Sequence, residues 1–256
     1  MPITTTDKIK TLDQEQFHVV DKSVMGIAFD LHNTIGRLFN EKVYQSALFQ
    51  RLSNEGHTCM REVEITLSHK GFNKSYFADL IVDGVIYETK VAATLTRRHE
   101  AQLLNYMLLS DVNHAKLLNF KTPSVEFKFI STRLNRDKRR IFEIRATDTT
   151  IGDALENLLS DWGTHLALDL YREALTQLLG SQEDQIQIRD AGIEIGNQRI
   201  PTLSDHAALI ITSITQVSGI ENYRKHLLRL LRNTNLSGLH WINFNQNDIT
   251  QVTLDK

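Results

Sequence analysis

Apolar and polar positions along this chain switch between two periods. From Val24 to Ile35 the apolar residues recur at helical spacing, and Gly36 closes the run. Asn40 suits the N-cap of a second helix, Glu41 to Asn54, ending near Gly56. The period then falls to two: CMREVEITL from Cys59, a turn at HKGFNK, SYFADLIV from Ser75, a turn at Asp83-Gly84, and VIYETKV from Val85. Asp-Gly between two apolar runs is a strong hairpin signal. HEAQLLNYMLL from His99 returns to helical spacing, and AKLLNF and VEFKFI read as strands on either side of Pro123. The predicted order is helix, helix, three strands, helix, two strands.

The second half repeats that order. GRLFNEKVYQSALFQRL (36–52) lies without gaps over GTHLALDLYREALTQLL (163–179), setting Gly36, Tyr44, Ala47 and Leu48 on Gly163, Tyr171, Ala174 and Leu175. QLLNYMLLSDVNHAKLLNF (102–120) lies over HLLRLLRNTNLSGLHWINF (226–244), and the offset drifts only from 127 to 124. Two blocks at nearly one offset are read as an internal duplication: copy one at 20–133, a basic connector at 134–146 and copy two at 147–256. Chance likeness between amphipathic helices is the competing reading.

Composition narrows the class. Of 256 residues, 41% are hydrophobic and 23% charged, ordinary for a chain with a packed core and against a mainly disordered one. The single cysteine, Cys59, excludes a disulfide framework and a cysteine-rich zinc site, so a reducing interior such as the cytoplasm fits. No run of about 18 apolar residues occurs, so no membrane-spanning helix is expected, and the N-terminus lacks a secretory apolar stretch. Net charge is −2, but residues 1–133 carry +1, 134–145 carry +3 and 146–256 carry −6. The front half with the basic stretch suits a polyanion, and the rear would repel one. The histidines show neither HxH nor HExxH spacing, and no GxxxxGK[ST] loop is present, so neither zinc nor an intrinsic ATP site is expected.

The hairpin holds the candidate chemistry. Alternate strand residues share a face, roughly 6.6 Å apart, so Glu88 and Lys90 face one way and Tyr87 and Thr89 the other. With the turn at Asp83-Gly84, Asp79 pairs near Glu88, and two carboxylates converge with one ammonium. Such carboxylates repel unless a cation lies between them. Their oxygens suit Mg²⁺, with Mn²⁺ as a substitute. A lysine beside the cation can orient an attacking water while the cation stabilises charge on a phosphate. An isolated Glu-x-Lys is usually a solvated strand; the apolar surroundings LIVDGVIYETKVA set this one apart. On the following helix His99, Gln102 and Tyr106 share a face. His99 reads as a phosphate contact or a neutral core residue, Tyr106 as a nucleic-acid contact or a core aromatic with a bonded hydroxyl. Arg97 and Arg98, and Arg136, Lys138, Arg139 and Arg140 in the connector, read as phosphate contacts or as solvated faces.

Together these motifs resemble the GxxExxY family of the PD-(D/E)XK nuclease superfamily, over about residues 24–133. The family writes Gly-x-x-Glu-x-x-Tyr; this chain has Gly36-Arg-Leu-Phe-Asn-Glu41-Lys-Val-Tyr44, two residues longer between Gly and Glu. YQSAL, ADLIVDG, YETKV, HEAQLLNYM and LLNF follow in family order. The resemblance implies Asp79 and Glu88 as metal ligands and Lys90 as the water-positioning base. It implies Glu41 as completing or orienting the metal site; the competing role is a helix-terminal carboxylate favoured by the macrodipole. Gln102-Leu-Leu-Asn-Tyr106 matches a Gln-x-x-x-Tyr motif of exonuclease-like branches, implying that Gln102 approaches the metal or a substrate phosphate.

At the same offsets copy two sets Leu168 over Glu41, Asp205 over Asp79, Ile214 over Glu88, Gln216 over Lys90 and His226 over Gln102. It is therefore expected to be catalytically inert. The expected fold is α/β, two tandem restriction-endonuclease-like αβββαβ units forming a pseudo-dimer. The expected function is Mg²⁺-dependent phosphodiester hydrolysis, in DNA rather than RNA, by one active and one inactive unit. The rival is a nuclease-like subunit that binds nucleic acid, a protein partner or a second copy without cutting. A place in a phage-defence or DNA-processing complex rests on family analogy alone.

Overall fold

The computed structural model describes residues 2–6, 9–203 and 206–256. The chain divides into two compact units, Met1–Ser68 with Asn73–Arg136, and His69–Phe72 with Asp137–Lys256. No helix among the described residues is long and apolar enough to cross a membrane.

The first unit runs β1 (Ile3–Thr5), α1 (Gln14–Ile35), α2 (Glu41–Asn54), β2 (Cys59–His69), β3 (Phe72–Val82), β4 (Val85–Lys90), α3 (Arg97–Ser110), β5 (His114–Asn119) and β6 (Glu126–Ser131). Its strands form one sheet in that same order. Pairs β3–β4 and β5–β6 are antiparallel; β4 and β5 are parallel, with α3 as the crossover. Helices α1 and α2 bury Phe17, Val24, Leu31, Tyr44, Leu48 and Leu52 against Leu80, Tyr87, Leu118 and Phe120. Each such side chain stabilises the unit by roughly 1.5–3 kcal/mol. The turn at Asp83-Gly84 has φ of 49° and 95°, the doubly positive pattern that matches hairpin twist. A Cβ at Gly84 would also stand 2.9 Å from the Lys10 carbonyl.

Helix α1 begins ten residues before the apolar periodicity does. Asp13 and Gln16 form a capping box: Asp13 Oδ1 accepts from Gln16 N at 2.8 Å and Gln16 Oε1 from Asp13 N at 3.2 Å. The buried face then carries a charge, Asp21, which interrupts the pattern. Its carboxylate is paired with Lys116 Nζ and accepts from the Tyr87 hydroxyl at 3.4 Å.

The rest of the chain runs α4 (Arg136–Arg139), β7 (Glu143–Ala146), α5 (Thr149–Trp162), α6 (Leu168–Leu178), β8 (Gln182–Asp190), β9 (Ile193–Thr202), β10 (Ala208–Thr212), α7 (Val217–Arg232), β11 (Gly238–Asn245) and β12 (Asp248–Asp255). The second sheet has the order β7-β12-β11-β10-β9-β8, with β10 and β11 parallel across α7. From α5 onward the element order repeats that of α1 onward.

Individual bonds repeat as well. Gly36 and Gly163 end α1 and α5 with φ of 77° and 74°. Tyr44 donates its hydroxyl to the Gly36 carbonyl at 2.7 Å and stacks on Phe120; Tyr171 donates to Gly163 at 2.6 Å and stacks on Phe244. The Asn119 amide bonds both the N–H and the carbonyl of Ala92, at 3.1 and 2.8 Å; Asn243 does the same to Ile214, at 2.8 and 2.9 Å.

The stretch 134–146, expected as a basic connector, carries α4 and β7, and β7 pairs in parallel with β12 at the edge of the second sheet. Arg139 does not belong to a basic surface. It is fully buried, and its Nη1 donates to the carbonyls of Trp162 and Thr164 at 2.8 and 3.3 Å, binding the C-terminal end of α5. Lys138 and Arg140 are exposed and Arg136 half-buried.

Candidate metal and phosphodiester site

The site is built where two strands part. The β3–β4 ladder pairs Val82 with Val85, Ile81 with Ile86 and Leu80 with Tyr87. One step further that register sets Asp79 opposite Glu88. There the Thr89 N–H donates to Asp79 Oδ2 at 2.9 Å, so a side-chain carboxylate takes the place of a backbone carbonyl. The Thr89 hydroxyl donates to the same oxygen at 3.0 Å.

Glu88 is 1% exposed. Its Oε1 accepts from Lys90 Nζ at 2.7 Å, and its Oε2 is buried without a hydrogen bond. Burial pushes the Glu88 carboxyl up to about 7, the Asp79 charge adding to that and Lys90 opposing it. Glu41, the first residue of α2, stands with Oε1 4.0 Å from Lys90 Nζ. Burial and then Asp79 raise its carboxyl, against Lys90 and the Val91 backbone. Burial works against the Lys90 ammonium, but Glu88, Asp79 and Glu41 outweigh it and hold the lysine above its ordinary value. The lysine is thus a cation detained among three carboxylates.

These residues fit a hard divalent cation. An unpaired oxygen on a 1% exposed carboxylate costs free energy that a cation would recover. Among the described residues no three His, Cys, Asp or Glu side chains are already disposed as a cage. Two carboxylates placed like Asp79 and Glu88 would suit Mg²⁺, which keeps several waters and takes oxygen ligands from phosphates.

A model of the PD-(D/E)XK nuclease superfamily matches residues 18–130. That match lies over most of the first unit. No curated protein matches the chain significantly.

Within the superfamily match, α3 lies beside the carboxylates. Gln102 is exposed and donates from Nε2 to the Tyr106 hydroxyl at 2.9 Å. Tyr106 is buried; burial raises its hydroxyl, with the Glu88 charge adding. His99 serves a capping box, its Nδ1 accepting from Thr96 N at 3.2 Å, which leaves Nε2 as the nitrogen that can meet a phosphate. Arg97 and Arg98 are exposed at the start of α3.

Thr89 is the residue that sequence reasoning passed over, because strand alternation assigns its side chain to the other face. The signal that could have found it is the hydrogen-bonding residue between Glu88 and Lys90, next to the end of the ladder. Thr89→Val keeps the shape and the N–H bond but removes the hydroxyl. We expect it to weaken Mn²⁺ binding about tenfold by calorimetry, the worth of one hydrogen bond to a charged group, with Thr89→Ser restoring it. Unchanged Mn²⁺ affinity in the valine variant would refute this role.

The second unit lacks the charges of Glu41, Glu88 and Lys90 at the matching places, and the structure corrects which places match. Lys90 pairs with Asn119 and Thr212 with Asn243, while Glu88 pairs with Leu117 and Ile210 with Trp241. Given the shared asparagine bridges, Thr212 answers Lys90 and Ile210 answers Glu88. Ile214 instead answers Ala92, and Gln216 stands at the N-cap position of α7 without a side-chain capping bond. The expected pairings failed because the second unit is shorter between its second helix and this strand: the offset falls from 127 at Glu41 to 122 at Lys90. Leu168 does open α6 as Glu41 opens α2, and His226 lies on α7. Asp205 lies outside the described residues.

Proposed function

We propose that the first unit is a divalent-metal-dependent nuclease, of the GxxExxY kind, hydrolysing phosphodiester bonds in DNA. The observation that carries the reading is the buried, half-satisfied Glu88 carboxylate facing Asp79 at the end of a hairpin, with Lys90 bonded to it. Asp79 and Glu88 would hold Mg²⁺, or Mn²⁺ in its place, and Glu41 would orient the shell. The cation, when bound, supplies stabilisation for negative charge on the phosphate and acidifies water. Lys90, bonded to Glu88 Oε1 at 2.7 Å, would orient water toward phosphorus. Gln102, steadied by Tyr106, faces the phosphate, and Arg97, Arg98 and His99 neutralise flanking phosphates.

The second unit is a non-catalytic partner half of a tandem duplication. Ile210, Thr212 and Leu168 offer neither ligand nor base, which favours a structural or substrate-shaping role there. The reading is tested with purified protein, Mg²⁺ or Mn²⁺, and linear, nicked and single-stranded DNA beside RNA. Cleavage of DNA by wild type and its loss in Lys90→Ala is the expected result. No cleavage of any substrate, with the two proteins indistinguishable, would leave a nuclease-like binding protein.

A further inference from the structure

The loop that leads into the site exposes side chains that packing does not explain. Between Gly36 and Glu41 lie Arg37, Leu38, Phe39 and Asn40, all exposed; Leu38 is 84% and Phe39 46% exposed. Phe39 precedes the N-cap and meets the Tyr44 ring edge-on at 6.4 Å, a staple contact that leaves nearly half the residue in water. Leu38 has no such role.

The second unit supplies an internal control. Its loop from Gly163 to Leu168 has the same length and the same hydrogen bond: Leu166 N donates to the Tyr171 hydroxyl at 3.2 Å, as Phe39 N donates to Tyr44 at 3.4 Å. Yet Leu166 is 7% exposed. One backbone device therefore tucks its apolar residue in where the catalytic charges are missing, and turns it out where they are present. A third exposed apolar side chain lies on β3. Phe77 is 53% exposed and lies two residues before Asp79 on β3, so strand alternation sets it on the Asp79 face, roughly 7 Å along. Leu38 and Phe39 come just before Glu41. Exposed apolar groups thus adjoin two of the carboxylates along the chain, Leu38 and Phe39 before Glu41 and Phe77 before Asp79, with Arg37 in the same loop as the first two.

We infer that Leu38, Phe39 and Phe77 form an apolar ridge that stacks on unpaired bases beside the scissile phosphate. The substrate is then nucleic acid single-stranded at the cut, because paired bases in a duplex keep their faces against one another. Every base has a flat face, so a ridge without hydrogen-bonding groups reads strandedness and not sequence. This rests on the nuclease reading above.

The test uses the full chain with Lys90→Ala, to prevent cleavage, and short DNAs carrying 2-aminopurine, as a single strand and as a blunt duplex. We expect the single strand to bind at least about tenfold tighter than the duplex, with the 2-aminopurine signal changed on binding. Adding Leu38→Ser and Phe39→Ser should weaken single-strand binding about tenfold or more and leave duplex binding unaltered, and Phe39→Trp should preserve it. The exposed positions leave the core intact, and a melting curve checks this. Equal affinity for the two DNAs, or single-strand binding unmoved by the serine pair, overturns the inference; the latter is also what a ridge docking a protein would give. Failure of the nuclease reading is separate: wild type would then not cut with Mg²⁺, whatever the binding result.

Discussion

Glu88→Gln is expected to remove divalent-cation binding, lower Mg²⁺-dependent cleavage on the order of 10³-fold, and at the same time stabilise the metal-free protein above pH 7. The loss follows from the role of the oxygen: an amide is a poor ligand for a hard cation, and the charge stabilisation at stake is several kcal/mol. The gain follows from linkage. The ordinary carboxyl value is 4.5, and in the fold burial and Asp79 carry it to about 7. A raised carboxyl binds its proton more tightly folded than unfolded, so stability falls as pH rises from 4.5 to 7, and the penalty is complete above that. At 1.36 kcal/mol per pKa unit it is on the order of 3 kcal/mol. Glutamine keeps an acceptor for Lys90 and removes the charge. Metal-free thermal melting at pH 5 and pH 8 checks this. A variant no more stable than wild type at pH 8 would show that Glu88 is not held at a cost.

The cost explains why part of the site could be read from the chain and part could not. The Asp83-Gly84 turn and the two-residue period place Asp79, Glu88 and Lys90 on one face, because hairpin register is local and rigid. Charged residues within LIVDGVIYETKVA violate the pattern of a buried strand, and such violations mark function. The other determinants depend on distant contacts. Asp21 lies outside the predicted helix Val24–Ile35, and Lys116, 95 residues away, accounts for its burial. Arg139 reads as one of a run of solvated cations, yet it packs against the carbonyls closing α5. Thr89 faces away by alternation, and it reaches Asp79 because the ladder stops at Leu80 and Tyr87. The repeated spacing was legible in Gly36, Tyr44 and Phe120, and Gly163, Tyr171 and Phe244 make the same bonds. A single offset could not survive loops of unequal length, so Glu88 and Lys90 were set over Ile214 and Gln216 where the strand registers set them over Ile210 and Thr212.

Lys90→Met should separate two roles that Glu88→Gln cannot. Cleavage is expected to fall by roughly 10²–10³-fold, the usual loss when one preorganised donor is removed, while Mn²⁺ binding persists. The ammonium holds Glu88 Oε1 at 2.7 Å and would compete with a metal there, so its removal should make Mn²⁺ bind at least as tightly. The metal-free protein should be less stable than wild type, because Asp79, Glu88 and Glu41 lose the cation that offsets their repulsion. Saturating Mn²⁺ should then raise the melting temperature more in the variant than in wild type, since binding supplies the missing charge as well as its own linkage free energy. The two variants thus move in opposite directions: one loses the metal and gains metal-free stability, the other keeps the metal and loses it. If Lys90→Met instead lost Mn²⁺ binding with its activity, the lysine would be holding the carboxylates in place rather than orienting water.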